Sequence, residues 1–218
     1  MAATGLASIG LTGGITGRST GAILHQYRHD RGVTRRRLPG PAELEAARTR
    51  TIRDVLPGPD DPPLRVLFSG INPGLVSAAT GHHFARPGNR FWPVLHRSGF
   101  TPRQLAPAEQ GELAALGLGV TNLVARATAR ADELTAAETV AGGKRLRALV
   151  AEHRPAWLAV VGVTAYRTAF GVRGAAIGRQ DEAWGGTRVW VLPNPSGLNA
   201  HWTVEAMAGE FARLRAAT

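Results

Sequence analysis

Four short apolar runs, at 65–69, 118–121, 157–161 and 188–192, constrain the fold of this chain more than any other feature of its sequence. Each has the length of a strand and leaves through a polar, glycine or proline exit, the pattern of strands buried on both faces of a parallel sheet. Between and after them, 89–97, 107–116, 136–153, 164–170 and 204–214 have the length and apolar spacing of helices. The alternation predicts an α/β domain: a three-layer sandwich with a central four-stranded, mostly parallel sheet flanked by helices. In such folds the chemistry sits in loops leaving the carboxyl ends of the strands, here 70–88, 122–132, 162–164 and 193–201.

A chain of 218 residues, 44% hydrophobic, has length for one ordinary domain and a tail. Residues 1–63 have few aromatics, many glycines, the run Arg35, Arg36, Arg37 and a turn-rich end at 57–63. They predict a partly disordered basic tail and linker with one short helix over 41–56, Pro41 suiting its first turn; the domain then spans 64–218. Gly5 and Gly10 have phosphate-loop spacing, but Leu11 stands where the lysine belongs and no strand precedes it.

The formal charge of +10 is compatible with a polyanionic partner, and equally with arginine use in a GC-rich genome, since Lys144 is the sole lysine. The absence of cysteine excludes disulfides, thiolate zinc sites and cysteine nucleophiles. It fits a reducing cytosol. No run of about 18 uncharged apolar residues suggests a membrane span, and the first 21 residues lack the positive start and long apolar middle of a signal peptide. A cytoplasmic protein without membrane association is expected. Adjacent histidines at His82 and His83 point in different directions and have no second pair, so no metal is expected.

Directly after the first strand, Gly70-Ile71-Asn72-Pro73-Gly74 forces a sharp turn, which by itself is an ordinary use of these residues. The longer run from Gly70 to Trp92, which holds that turn, His82-His83-Phe84 and Asn89-Arg90-Phe91-Trp92, resembles the mismatch-specific uracil/thymine-DNA glycosylases, in particular their bacterial G/U branch. Leu192-Pro193-Asn194-Pro195-Ser196-Gly197-Leu198 is similar to that family's second motif, and Val120-Thr121-Asn122-Leu123-Val124 to the segment between. The resemblance covers about 65–215.

The resemblance implies the uracil-DNA glycosylase fold, a monomer acting on double-stranded DNA that contains uracil or a mismatched or damaged pyrimidine, and no cofactor. It makes Asn72 the catalytic residue, orienting water at the anomeric carbon more than removing its proton. The base would lie among Ile71, Ser77, His83, Phe84, Asn122 and Asn194, with Phe84 stacked on it or, alternatively, plugged into the core. Leu198, flanked by Gly197 and Asn199, would fill the vacated stack. Arg86, Arg90 and Arg126 would meet phosphates or the minor groove, or form a solvated basic surface. Uracil-specific relatives carry a histidine at the position of Asn194 and an aspartate near the water that the first motif here lacks, which leaves Asp132, or Glu133, as the candidate carboxylate. A strand-cutting lyase step would need an amine, and Lys144 falls in the predicted 136–153 helix. The alternative reading is a non-catalytic mismatch- or DNA-structure-binding module of the same fold; hydrolysis of free nucleosides rests on fold analogy alone.

Overall fold

The computed structural model describes residues 37–218. The glycine pair Gly5 and Gly10 and the arginines Arg35 and Arg36 lie outside the described residues.

Five strands form one sheet in the order β2-β1-β3-β5-β4: β1 (Val66–Gly70), β2 (Leu118–Asn122), β3 (Trp157–Val161), β4 (Gly178–Trp184) and β5 (Thr187–Leu192). The pairs β1·β2, β1·β3 and β3·β5 are parallel, and β4 runs antiparallel to β5. The α/β sandwich predicted from the apolar runs is thus correct in kind, with five strands instead of four. The strand missed is the edge strand β4, whose sequence GRQDEAW alternates between covered and solvated positions and never becomes an apolar run. Its sequence signal was the Gly185-Gly186 pair between Trp184 and Thr187, both at positive φ as a tight hairpin requires.

The central strands are buried on both faces because successive side chains feed different helical layers. Val66, Phe68, Trp157, Ala159, Trp190 and Leu192 pack with α3 (Phe91–Arg97) and α6 (Val204–Ala217). Leu67, Leu158, Val160, Val189 and Val191 pack with α4 (Ala136–His153) and α5 (Val163–Phe170). Thr135 opens α4 as a capping box, its hydroxyl accepting from the Glu138 N–H while Glu138 returns a bond to the Thr135 N–H. The 107–116 stretch is a 3-10 helix, and 75–80, expected as loop, is the short helix α2 (Leu75–Thr80). No helix among the described residues is long and apolar enough to cross a membrane.

The boundary expected at 63 falls instead at Arg37, where the compact unit begins. The helix expected over 41–56 is only α1 (Pro41–Ala46) with a 3-10 turn, Ala47–Thr49. Beyond it the chain has no regular element before β1 and makes one turn at 58–61. Val55 exchanges backbone hydrogen bonds with Val120 at 2.8 Å in both directions, Ala47 is fully buried, and Leu56 and Leu64 pack on the core. A polar, proline-rich composition hides this segment because its order comes from pairing to β2 and not from local propensity.

Candidate active site

The strand order places β1 between β2 and β3, so successive crossovers leave it in opposite directions, and ligand clefts open at such switch points beyond the carboxyl ends. A cleft of about 290 Å³ lies there, lined by residues from the exits of β1, β2, β3 and β5.

The exits of β1 and β2 are joined by backbone bonds: Leu123 N–H to Gly70 C=O (2.8 Å), Val124 N–H to Ile71 C=O (2.9 Å) and Thr128 N–H to Pro73 C=O (3.1 Å). Asn72 sits within this ladder on the cleft wall. Its Nδ2 donates to Thr128 Oγ1 (2.7 Å) and to the Arg126 C=O (2.9 Å). These contacts, and a longer one to the Pro73 C=O (3.3 Å), are all to acceptors, which identifies the amide orientation; among the described residues nothing donates to Oδ1. A carboxamide so held offers one fixed acceptor, suited to orienting a water and unsuited to ionising it. Thr128 passes the bond on to the Arg130 C=O at 2.7 Å. Thr128→Val would remove this anchor at constant shape and leave the Asn72 amide free to turn, at a cost of about 1 kcal/mol.

Phe84 has φ 54°, a left-handed backbone that a bulky residue adopts only when its surroundings enforce it. They do so here. Ala85 N–H donates to Ser77 Oγ (3.0 Å), His83 N–H to Gln110 Oε1 (2.7 Å) and Trp92 Nε1–H to the His83 C=O (3.1 Å). The Phe84 ring stacks on Phe91 at 4.0 Å between centroids and also lines the cleft. Ser77 is among the residues that line the cleft, with its hydroxyl spent on the Phe84 loop.

Asn122 ends β2 inside the cleft, 7% exposed. Gly70 makes room for it: a Cβ at Gly70 would lie 2.5 Å from Asn122 Oδ1 and 3.3 Å from the Phe84 ring. His83 is buried behind Asn122, Nδ1 lying 3.2 Å from Asn122 Nδ2 and Nε2 3.0 Å from the Arg53 C=O. Burial, the largest influence on the ring, holds the imidazole below its ordinary pKa and so disfavours its charged form. A direct base contact through this ring is not what the geometry offers, since both nitrogens bond protein.

Arg90, expected at phosphates, turns inward. Its guanidinium donates to the Ser196, Asn199 and Trp202 carbonyls and its backbone N–H to the Pro195 C=O (2.9 Å). It fastens the 194–202 loop. Gly197 lies against Gly88, where any Cβ would come within 2.6 Å of the Gly88 C=O. Asn194 Oδ1 accepts from Ser196 N–H (3.0 Å), and Asn199 Nδ2 donates to the Asn194 C=O (3.0 Å), so both amides shape the loop. Leu198 stands at the cleft mouth, 70% exposed.

Of the other arginines, Arg126 is held bidentately by Glu138 (2.6 and 3.1 Å), which depresses the Glu138 carboxyl to about 2. Its backbone carbonyl, not its charge, serves Asn72. Arg86 is exposed on the cleft rim, and no ion pair neutralises it among the described residues. Asp132 also lies on the rim, paired to Arg130 at 2.6 Å; that bond lowers its pKa and weakens it as a base. Glu133 bonds Arg48 at 3.3 Å and lines no part of the cleft. Lys144 also lies outside the cleft lining.

Thr128, Asn89 and Ile52 also line the cleft, and the sequence alone assigns none of them a place in the site. Asn89 carries its own signal, a side-chain acceptor two residues ahead of the Phe91 N–H that opens α3 (2.9 Å). Thr128 and Ile52 have none, because pairing across the sheet edge brings them in.

Sheet order, cleft position and an amide-lined wall define a doubly wound α/β protein with its site at the switch point. The family model of the uracil DNA glycosylase superfamily matches residues 57–215, and the chain belongs to that superfamily, whose members hydrolyse N-glycosyl bonds in DNA.

Proposed function

We propose that the chain is a monofunctional, mismatch-specific DNA glycosylase that flips uracil, above all uracil opposite guanine, from the duplex and hydrolyses its bond to deoxyribose. Ethenocytosine and other modified pyrimidines are further substrates of the same pocket under this reading. The observation that carries it is the fixed Asn72 carboxamide, its nitrogen held by Thr128 and Arg126, in one cleft with Phe84 and Asn122 and with Leu198 at the mouth.

In this mechanism the base leaves the stack at a cost of a few kcal/mol, least where pairing is already poor. Leu198 enters the gap, Phe84 faces the ring, and Asn122 meets its polar edge. Asn72 Oδ1 accepts a hydrogen from a water and aims its oxygen at the anomeric carbon. The glycosidic bond breaks toward an oxocarbenium-like sugar, the pair of electrons goes to the base, and the water adds to the carbon and loses its proton to solvent. The N–H groups of Ile71 and Phe84, for which no protein acceptor is found among the described residues, suit the negative charge growing on base oxygens. Asp132 stays ionised and contributes charge at the rim. Arg86 takes a backbone phosphate. No Schiff base forms, since the sole lysine lies outside the cleft.

The test is a labelled G:U duplex incubated with the full chain in EDTA and then treated with alkali. Cleavage only after alkali is the expected result; intact strands at enzyme excess would remove the activity. Tight duplex binding without product in every uracil context would favour the DNA-binding module instead.

A further inference from the structure

The segment 50–54 precedes the superfamily match at 57–215, yet it reaches the pocket: Ile52 lines the cleft, Arg53 offers its carbonyl to His83, and Asp54 lies 3.7 Å from Arg145. We infer that this segment, acting through His83, fixes which way the Asn122 carboxamide faces and thereby which bases the pocket accepts: those with an N–H beside a carbonyl, as in uracil, and not those with the reversed edge, as in cytosine. The inference rests on the glycosylase reading for its substrate and on the hydrogen-bond geometry for its mechanism.

A backbone carbonyl only accepts, so the contact of Arg53 O with His83 Nε2 at 3.0 Å requires the hydrogen on Nε2. The ring is 1% exposed, and burial disfavours a second proton. Nδ1 is therefore a lone-pair acceptor, and its 3.2 Å partner on Asn122 must be the amide nitrogen. That choice leaves Asn122 Oδ1 at the Gly70 end of β1, beside Phe84, with no donor to it among the described residues. Oδ1 together with the second Nδ2 hydrogen presents an acceptor next to a donor. Uracil complements this pair with N3–H and O4. Cytosine offers N3 as acceptor and N4–H as donor, which sets acceptor against acceptor and donor against donor. Sites that hydrogen-bond a ligand in one polarity reject the wrong partner strongly, by factors on the order of 10⁴. Were the hydrogen on Nδ1 instead, Asn122 would turn over and the preference would reverse. His83 is thus a positioning residue, and the Arg53 carbonyl is what sets its tautomer.

Two substitutions break the relay at different points. Asparagine carries its polar atoms at the reach of Nδ1, and glutamine at the reach of Nε2. With uracil or cytosine placed opposite an abasic analogue, so that base pairing drops out, His83→Asn, which leaves the Arg53 carbonyl unbonded and its own amide free to turn either way, is expected to lower the uracil-to-cytosine ratio of single-turnover rates. His83→Gln is expected to lower it by about tenfold or more, the value of one misplaced hydrogen bond. An unchanged ratio in His83→Gln would overturn the relay. A direct readout needs no catalysis: imidazole ¹⁵N shifts of the full chain, assigned against His83→Asn, should show Nε2 protonated and Nδ1 bare, and a protonated Nδ1 would overturn the inference whatever the variants do. Absence of excision in the wild type, with non-cleavable 2′-fluorodeoxyuridine still bound better than its cytidine counterpart, would fail the enzyme reading while upholding this one.

Discussion

Asn72→Ala is expected to slow excision from a G:U duplex by about a hundredfold to a thousandfold at single turnover, the range associated with losing an orienting polar group in a closed site. Binding should persist. Asn72 Nδ2 is tied to the loop after β2, and nothing else in the pocket depends on it, so Phe84, Asn122 and Leu198 keep their places in the variant. Affinity for a duplex bearing non-cleavable 2′-fluorodeoxyuridine should change less than threefold or so, about half a kcal/mol. A variant with an unaltered single-turnover rate would remove Asn72 from the mechanism, and a variant that loses binding and rate together would recast it as a structural residue.

Arg90→Ala is expected to be strongly destabilising although the residue lies outside the cleft lining. The guanidinium collects carbonyls from Ser196, Asn199 and Trp202, which otherwise point at one another, and charge-assisted bonds of this kind contribute roughly 1.5–3 kcal/mol each. Allowing for water replacing part of that set, a loss of about 3 kcal/mol is expected, read as a fall in melting temperature of about 6–12 °C. The functional signature is more specific. With the 194–202 loop loosened, Leu198 no longer stands at the cleft mouth, so excision from a paired duplex should fall far more than excision of the same base from a single strand, which has no stack to refill. Arg90→Lys should recover little, because one ammonium cannot fork to carbonyls on three sides. Equal losses on duplex and single strand would contradict the wedge assignment.

Both predictions concern residues visible in the sequence, but for different reasons. Asn72 was legible because an Asn-Pro-Gly turn at a strand exit states its own geometry, and the longer run around it narrows the chemistry. Arg90 was legible only as a basic residue in a basic chain. Its direction depends on which carbonyls lie within reach, and the nearest ones are over a hundred positions away. The same contrast holds across the fold. The buried strands β1, β2, β3 and β5 announce themselves by apolar content, whereas β4 is half solvated and α2 is too short for its periodicity to stand out. The 37–63 segment reads as linker from its composition because its stabilising partners, Val120 and the two core layers, belong to elements far along the chain. Composition reports what a segment would do alone.

The left-handed backbone at Phe84, held from Ser77, Gln110 and Trp92, means that this wall of the cleft is shaped by the protein's own bonds and waits on no ligand to form. Under the proposed reading, all the rearrangement then falls on the DNA. Selection among lesions then has two independent parts, how readily each nucleotide leaves its helix and how well its polar edge matches a mould that does not move to meet it.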